Sequence, residues 1–283
     1  MKFAIYGSRH QEEFIPDIRH FLLSLQSEGH QAVMHSKLYK YLLHAIPAAL
    51  GCVTRVTDGD DFTADFAVSL GGDGTFLRTA AWVGAKEIPV IGVNTGHLGF
   101  LNALDISALD TLVSRLPRGY QTERRTLLQV SEPGLDGWPY ALNEVTLTKC
   151  ESASMVQVQA RIDGVPLADY RADGLIIATP TGSTAYNLSV GGPIVAPTAP
   201  VFALSPIAAH SLSMRPLIID DRSRLEFTCH GRASSFRITL DGRAYTLPID
   251  TTVKLTKAPF RLHVVQLDEH NFADTLRRKL QWG

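Results

Sequence analysis

The chain has 283 residues, a length that fits one large or two medium domains. Its 45% hydrophobic and 19% charged residues are typical of a folded globular protein. The formal net charge of −1 leaves no basic excess to attract nucleic acid or an anionic membrane surface, so neither is expected as a partner.

The N-terminal sequence and the cysteines indicate a cytoplasmic protein. MKFAIYGSRH lacks the long apolar core of a signal peptide, and no apolar run approaches the ~18 residues of a membrane span. Cys52, Cys150 and Cys229 are too few and too scattered for a disulfide framework or a zinc site. We expect them to be small, buried hydrophobic side chains in a reducing compartment.

Strand and helix patterns alternate through the first hundred residues. The predicted strands are 3–6, 32–34, 65–70 and 89–93, and the predicted helices are 12–27, 38–46 and one from 75 onward. Such alternation predicts a parallel sheet covered by helices, with ligands bound beyond the carboxyl ends of its strands.

The most informative segment is LGGDGT at 70–75, where the strand at 65–70 turns into the next helix. Glycines there leave backbone amides accessible, and a helix N-terminus favours an anion such as pyrophosphate. Four residues are expected to bind phosphate: Gly71, Gly72, Gly74 and Thr75. Asp73 would repel phosphates unless it binds a metal ion or a substrate hydroxyl, so the turn favours a phosphoryl-transfer site. The alternative is a tight turn with an aspartate N-cap.

Short strand-like runs dominate from Arg125 onward. The predicted strands are 126–131, 141–148, 155–162, 174–178, 236–240 and 245–249. Asp163-Gly164 and Asp241-Gly242 are hairpin-turn signals, so this half is expected to be a mostly antiparallel, sandwich-like β domain. Residues 272–282 form an amphipathic pattern that predicts a docking helix with a solvated basic face.

A second glycine-rich stretch at 94–100 follows the strand at 89–93 and is expected to line the same crevice as the GGDG turn. Asn94 and Thr95 are expected to hydrogen-bond near the ligand. His97 is either a phosphate or ribose contact or a structural histidine.

Asn143 and Glu144 interrupt an apolar strand pattern. Adjacent strand residues point to opposite faces, so both face the interior only if the strand twists or bulges there. An amide beside a carboxylate supplies a donor and acceptors for ribose hydroxyls. The alternative is one solvent-exposed residue and one turn contact.

The block at 170–193 is the densest in small polar residues, with a buried strand at 174–178 running directly into TPTGSTAYNLS. Small hydroxyl residues can approach a nucleotide closely, and Tyr186 offers a ring for stacking. Arg171 and Asp173 occupy like-facing positions two apart on an extended chain. We interpret this block as a binding loop.

With these segments in place, the chain resembles the NAD kinases over nearly its whole length and in the same order. The matching segments are 71–75 (GGDGT), 92–101 (GVNTGHLGFL), 143–144 (NE), 173–186 and the C-terminal 276–283 (LRRKLQWG). The GGDG run alone is shared with phosphofructokinases and with diacylglycerol and sphingosine kinases. The block from 171 to 189 is specific to NAD kinases.

The resemblance implies transfer of the γ-phosphoryl group of ATP, or of phosphate from polyphosphate, to the 2′-hydroxyl of the adenosine ribose of NAD, giving NADP. It implies an N-terminal Rossmann-like α/β domain at 1–116, a β-rich NAD-binding domain at 117–258 and a segment at 259–283 that returns to the first domain. A homodimer or homotetramer is expected.

The resemblance also assigns site residues. Asp73 is implied to be the general base or the carboxylate that orients the hydroxyl, with Gly74 and Arg78 beside the ligand. The other residues implied to bind NAD are Asn143, Glu144, Arg171, Asp173, Thr184, Ala185, Tyr186, Asn187, Leu188, Ser189 and Arg243. Arg243 stands where many relatives carry glutamine, so its role stays open. Arg171 stands where some members have glycine, and a basic side chain there favours oxidised NAD.

Phosphoryl transfer depends on positioning and charge stabilisation. By accepting the hydroxyl proton, Asp73 would contribute about 10²–10⁴ in rate. The GGDGT run is not a Walker motif and has no phosphate-binding lysine. A divalent ion, Mg²⁺, is therefore expected on the donor phosphates, with no side-chain metal site.

Two rival functions remain at this point, a GGDG-type lipid kinase and a non-catalytic NAD-binding sensor. The lipid kinase leaves 171–189 unexplained, and an intact Asp73 argues against the sensor. An NAD-dependent oxidoreductase is excluded because Gly7-Ser8-Arg9-His10 is not a GxGxxG turn.

Overall fold

The computed structural model describes residues 1–8, 12–96, 99–102, 104–150, 155–267 and 272–282. The chain divides into two compact units, Met1–Arg124 with Leu262–Gly283, and Arg125–Arg261. The sequence placed the boundaries after residues 116 and 258 instead. The contacts divide a few residues later because strands at 121–125 and 262–266 belong to the sheet of the first unit.

The first unit is a sheet flanked by helices. Its strands are β1 Lys2–Gly7, β2 Gln31–Met34, β3 Val53–Val56, β4 Phe66–Leu70, β5 Val90–Asn94, β6 Leu104–Asp105, β7 Gln121–Arg125 and β20 Leu262–Gln266. Its helices are α1 Ile15–Ser27, α2 Ser36–Ala45, α3 Asp73–Val83, α4 Leu109–Arg115 and α6 Phe272–Leu280. The strand order is β3-β2-β1-β4-β5-β20-β7, with β6 beside β5.

The sheet is parallel at its centre, where β1 pairs with both β2 and β4 and β4 pairs with β5. All five residues of β4 and of β5 are buried, as expected for strands covered on both faces. The order of connection reverses between β1 and β4, and ligands bind beyond the carboxyl ends of strands at such a switch point. The GGDG turn follows β4 at this edge.

The last segment of the chain returns to the first unit. Val264 of β20 pairs in parallel with Val90 of β5, so β20 completes a sheet that begins at the N-terminus. The Arg115 guanidinium donates to the Leu267 carbonyl (3.1 Å) and links α4 to the residue just after β20. The predicted return of the C-terminal segment is confirmed.

The second unit consists of two antiparallel sheets. One has the order β15-β14-β13-β10-β17-β18 and the other β12-β11-β16-β19-β8-β9. The strands are β8 Leu128–Glu132, β9 Tyr140–Ala141, β10 Glu144–Lys149, β11 Val156–Ile162, β12 Val165–Ala172, β13 Gly174–Ala178, β14 Val201–Ile207, β15 Leu217–Asp220, β16 Leu225–His230, β17 Ser235–Leu240, β18 Arg243–Pro248 and β19 Thr252–Lys257. A four-residue helix, α5 Tyr186–Ser189, follows β13.

A large hydrophobic core lies inside the second unit. It takes alternate residues from both sheets, such as Leu147 and Ile177 from one and Val158 and Phe227 from the other. This is the arrangement of a sandwich, and the predicted combination of a parallel α/β domain with a β-rich domain is confirmed.

The sequence predicted the strands around the two glycine-rich turns and both Asp-Gly hairpins, which join β11 to β12 and β17 to β18. It did not predict β3, β6, β7, β14, β15, β16, β19 or β20, nor helices α4 and α5. Cys52 and Cys229 are buried as expected, whereas Cys150 is only half-buried. Within the described residues, no helix is long and apolar enough to cross a membrane.

Candidate functional site

The GGDG turn takes a conformation that only glycine at its first position allows. Gly71 has φ +153°, and a Cβ there would lie 2.4 Å from Oγ1 of Thr75. Gly72 is the N-cap of α3, and its carbonyl accepts the amides of Thr75 (2.8 Å) and Phe76 (3.1 Å). The predicted alternative of an aspartate cap was wrong, because Asp73 is already the first residue of the helix.

Asp73 holds the segment that follows β5. Its Oδ2 accepts the amide of Phe100 (2.9 Å), and its Oδ1 accepts the amide of Leu101 (3.1 Å) and Nδ2 of Asn102 (3.3 Å). A carboxylate offers about four acceptor positions, so these bonds leave capacity for one more donor. The two glycine-rich segments are therefore joined through Asp73, as their common position at strand ends predicted.

Gly99 completes this contact. A Cβ at residue 99 would lie 1.7 Å from Oδ1 of Asp73, so the carboxylate occupies the place of a side chain. The glycine is thus required by close approach of a functional group and not by the turn itself.

The start of α3 is open at the remaining glycines. A Cβ at Gly72 would meet no atom within 4 Å, and one at Gly74 would meet only Nη1 of Arg78, at 3.9 Å. Arg78 is exposed one turn further on and donates to Oγ1 of Thr75 (3.2 Å). An accessible helix N-terminus with a nearby guanidinium suits an anion.

Asn94 and Asn102 flank the same segment. Nδ2 of Asn94 donates to the carbonyl of Gly96 (2.9 Å). The Oδ1 atoms of Asn94 and Asn102 are buried, and neither has a hydrogen-bond partner among the described residues. Thr95 is half-buried. His97, for which the sequence left two roles open, lies outside the described residues.

In the second unit, Asn143 and Glu144 lie where β10 begins. β9 ends at Ala141 and β10 starts at Glu144, so the predicted continuous strand over 141–148 was wrong at this point. The break removes the strict alternation of faces, and both side chains can be presented together. Asn143 Oδ1 and Glu144 Oε2 are buried, and the described part of the chain offers neither a hydrogen-bond partner.

The turn after β13 packs directly on this break. The Thr179 amide donates to the Asn143 carbonyl (2.9 Å), and the Thr179 hydroxyl donates to the Leu142 carbonyl (2.5 Å). A Cβ at Gly182 would lie 2.0 Å from the Asn143 carbonyl oxygen. The block at 170–193 and the Asn143-Glu144 pair, predicted separately, therefore form one cluster.

Asp241 holds the break from the other side. Its Oδ2 accepts the amide of Leu142 (2.7 Å), and its Oδ1 accepts the amides of Asn143 (2.8 Å) and Glu144 (3.2 Å). Burial raises the pKa of Asp241, whereas these amides and the charge of Arg243 oppose that rise.

Glu144 has the most functionally suggestive ionisation in the cluster. Burial, and then the neighbouring charge of Asp241, raise its pKa to about 7, while the backbone amide of Tyr186 acts in the opposite direction. Perturbed carboxyl groups of this kind concentrate at functional sites.

The residues of the binding loop divide into exposed and internal ones. The Tyr186 side chain is 43% exposed and Ser189 is exposed, while Thr184, Ala185 and Leu188 are half-buried. Asn187 is fully buried, with Nδ2 donating to the carbonyls of Ser183 and Pro193 and Oδ1 accepting from the Ser205 hydroxyl (2.6 Å). Its side chain fixes the loop, and only its backbone is left for a ligand.

Arg171 and Asp173 do not share a face as predicted. Arg171 pairs with Gln157 in the sheet that contains β12 and lines a cavity of about 460 Å³ with His230 and Arg232. Asp173 lies between β12 and β13 and forms an ion pair with Lys149 of the other sheet (2.6 Å). The chain changes sheets at Asp173, so the period-two rule does not carry across it.

Arg243 binds backbone in the described structure. Its Nε donates to the Leu240 carbonyl (3.1 Å), its Nη1 to the Trp138 carbonyl (2.7 Å) and its Nη2 to the Tyr140 carbonyl. Trp138 and Tyr140 in turn pack on Phe260, with ring centroids 5.7 and 4.9 Å away. Arg243, at the start of β18, therefore supports an aromatic cluster of Trp138, Tyr140 and Phe260, and NAD binding by this residue stays a prediction.

Both halves of the chain match known families. Residues 17–120 match the family profile described as the ATP-NAD kinase N-terminal domain, and residues 142–267 match the ATP-NAD kinase C-terminal domain. NAD kinases of Porphyromonas gingivalis and Bacteroides fragilis are 43% and 37% identical, with 100% of this chain and 98% of each relative aligned. The chain belongs to the NAD kinase family. Its relatives are phosphotransferases, and neither the lipid-kinase nor the sensor alternative gains support.

Two solved structures share the NAD kinase fold. A yeast NADH kinase, complexed with NADH, matches with a TM-score of 0.89 at 23% identity, covering 100% of this chain and 88% of the other. An NAD kinase from Archaeoglobus fulgidus, complexed with ATP, matches with a TM-score of 0.77 at 24% identity over 100% of both chains. The predicted two-domain architecture is that of the family.

Three residues of these clusters were missed by the sequence analysis. Asn102 and Asp241 hold the candidate site residues in place, and Lys149 neutralises Asp173. Only the Asp241-Gly242 dipeptide gave a signal, and it was interpreted as a turn alone. Within the described ranges, no three His, Cys, Asp or Glu side chains lie close enough together to hold a metal ion.

Proposed function

We propose that this member of the NAD kinase family transfers the γ-phosphoryl group of ATP to the 2′-hydroxyl of the adenosine ribose of NAD. The observation that carries the proposal is the anchored carboxylate of Asp73 at the N-terminus of α3, with acceptor capacity left for one further donor. A hydroxyl that donates to this carboxylate would lie beside the amides that suit a phosphate.

Asp73 acts as the general base in this proposal. The amides of Phe100 and Leu101 and the side chain of Asn102 fix its orientation, so little rearrangement is needed when the ribose hydroxyl donates to it. As the bond to phosphorus forms, the carboxylate accepts the hydroxyl proton, an effect of about 10²–10⁴ in rate.

The start of α3 binds the phosphates. Gly72 and Gly74 expose the chain to a ligand, and Arg78 lies within one helical turn of them. Gly71 and Thr75 shape the turn beneath, since a Cβ at residue 71 would lie only 2.4 Å from the Thr75 hydroxyl oxygen. When bound on the donor phosphates, Mg²⁺ neutralises their charge.

Asn143 and Glu144 bind ribose hydroxyls of NAD. Their buried acceptor atoms, Asn143 Oδ1 and Glu144 Oε2, would be satisfied by the hydroxyl groups of a sugar. Tyr186 would stack on a ring of the dinucleotide, and the backbone of residues 184–189 would contact the dinucleotide along its length. Asp173 and Arg171 belong to the proposed set through the family resemblance alone, since their side chains lie on different faces. The same resemblance supports a preference for oxidised NAD over NADH.

The finer properties of the protein belong to the same proposal. We expect a cytoplasmic homodimer or homotetramer that requires a divalent ion. Polyphosphate is the alternative donor.

The test is an assay of the purified protein with NAD or NADH against ATP or polyphosphate, in which NADP and NADPH are detected by a specific coupled dehydrogenase. NADP formation from NAD and ATP, dependent on Mg²⁺, is expected. A chain that binds NAD by calorimetry yet makes no product would be a sensor, and transfer of labelled phosphate to diacylglycerol would identify a lipid kinase.

A further inference from the structure

The two Asp-Gly turns of the second unit have the same backbone conformation. Asp163 and Gly164 have φ of 51° and 79°, and Asp241 and Gly242 have φ of 46° and 83°. Each aspartate also makes the same reciprocal pair with a residue at the start of a neighbouring strand. The Asp163 amide donates to the Arg224 carbonyl, and the Arg224 amide donates to the Asp163 carboxylate (both 2.9 Å). In the same way, the Asp241 amide donates to the Glu144 carbonyl, and the Glu144 amide donates to the Asp241 carboxylate (both 3.2 Å).

Asp241 makes two hydrogen bonds that this turn does not require. In addition to the Glu144 amide, its carboxylate accepts the amides of Leu142 (2.7 Å) and Asn143 (2.8 Å). Three successive backbone amides therefore converge on one carboxylate. Asp163, in the otherwise equivalent turn, is exposed.

Two of the residues held by Asp241, Asn143 and Glu144, have buried acceptor atoms without a hydrogen-bond partner in the described structure. Oδ1 of Asn143 and Oε2 of Glu144 are both buried, with no partner for either among the residues that the structure describes. Two adjacent residues with open acceptors match two adjacent hydroxyl groups, each of which donates one hydrogen.

We propose that Asp241 is a positioning residue, which fixes Asn143 and Glu144 so that they receive a ribose diol of NAD. The proposal rests on the proposed function, since it takes the ligand of these two residues to be NAD. Asp241 acts through the backbone at 142–144 and does not itself contact the ribose.

The charge of Asp241 adds a second, separable effect. It lies beside Glu144, whose pKa it helps burial to raise to about 7. The other groups that bear on Glu144 are the Tyr186 amide and, through Asp241, the guanidinium of Arg243. A ribose hydroxyl donates best to an ionised carboxylate, so the affinity for NAD should increase as the pH rises through about 7.

The decisive variant is Asp241→Asn, with Asp163→Asn as the matched control. NAD binding is measured by calorimetry from about pH 5.5 to 8.5, together with the KM for ATP. For Asp241→Asn we expect roughly tenfold weaker NAD binding, an unchanged KM for ATP, and a lower pH midpoint, because an amide carries no charge. Asp163→Asn should match the wild type. Wild-type affinity and midpoint in folded Asp241→Asn would overturn the proposal.

A double variant tests whether the charge of Asp241 acts through Glu144. Glu144→Gln should abolish the midpoint near pH 7, and Asp241→Asn in that background should produce no further pH shift. A midpoint that still moves in the double variant contradicts an action through Glu144.

Carboxyl ¹³C NMR of the wild type does not depend on whether Asp241→Asn folds. Glu144 should titrate near 7, and titration at its ordinary value of 4.5 would remove the electrostatic effect. Calorimetry and NMR report on binding and ionisation alone, so they are independent of turnover. Absence of NADP formation by the wild type would overturn the proposed function and leave these readouts interpretable.

Discussion

Gly99 and the carboxylate of Asp73 occupy adjoining space, so closely that a Cβ at residue 99 would lie 1.7 Å from Oδ1. The nearest atoms belong to a side chain and not to the backbone, so a methyl group there would push the carboxylate aside. The position of the proposed general base is therefore set by the absence of a side chain at a residue 26 positions later in the chain.

Gly99→Ala should lower kcat for NADP formation by about 10²-fold while the protein still folds, since a misplacement of about 1 Å costs that much. The measurement is steady-state kinetics together with the thermal unfolding midpoint. Gly59→Ala is the control, because its Cβ would meet only Thr57 Oγ1, at 3.6 Å, an ordinary contact. Wild-type kcat in Gly99→Ala would show that the position of Asp73 does not limit the reaction.

Arg243→Gln should lower the free energy of unfolding by about 1–3 kcal/mol, because up to three partly buried backbone carbonyls lose their hydrogen-bond donor. Urea unfolding followed by circular dichroism measures this change. Trp138 fluorescence should change as well, since the Arg243 contact to its carbonyl is lost. If Arg243 instead binds NAD directly, the KM for NAD will rise with stability unchanged.

His35 should make the first unit less stable in acid. It is buried, its Nδ1 accepts the Lys37 amide at the start of α2 (3.3 Å), and its ring packs on Tyr6, with centroids 4.4 Å apart. Burial lowers its pKa below 6.5, only partly offset by Asp58. The unfolded chain therefore binds the proton more readily, and stability present above pH 6.5 is lost as the pH falls below it.

His35→Asn tests this dependence, because asparagine also caps helices and does not titrate. The variant should be less stable than the wild type at pH 8, through lost ring contacts, yet its urea midpoint should decline less between about pH 6.5 and 5. Parallel declines in the two proteins would assign the acid sensitivity to other groups.

The sequence identified the parts of the site that depend on local chemistry. A strand, a glycine-rich turn and a helix at 65–83 follow from composition, and β4 and α3 have the expected places. The position of Asn143 and Glu144 did not follow, because the break before β10 is held by Asp241, 98 residues from Asn143. Contacts at such a separation leave no periodic pattern in one sequence.

The two Asp-Gly turns illustrate the same limit. Asp163 and Asp241 give identical turn signals and the structure confirms both hairpins, but only Asp241 accepts the amides of three successive residues. The Asp-Gly dipeptide favours a left-handed backbone conformation, and it adopts this conformation equally well at the surface and beside the candidate site. Which of the two acts on the site depends on the neighbouring strand.

The reaction itself is tested most directly at Asp73. Asp73→Asn keeps the size of the side chain. The asparagine amide has one acceptor oxygen, whereas the two oxygens of the carboxylate accept three hydrogen bonds in the wild type. Asn102→Ala is the matched control, since it removes one of these donors and leaves the carboxylate, and should cost about tenfold or less in kcat.

The central measurement is therefore NADP formation by Asp73→Asn, followed by the coupled assay, beside calorimetry of NAD binding by the same protein. We predict a loss of about 10²–10⁴ in turnover with NAD still bound. Near-normal turnover in this variant would contradict the assignment of Asp73 as the group that accepts the ribose proton.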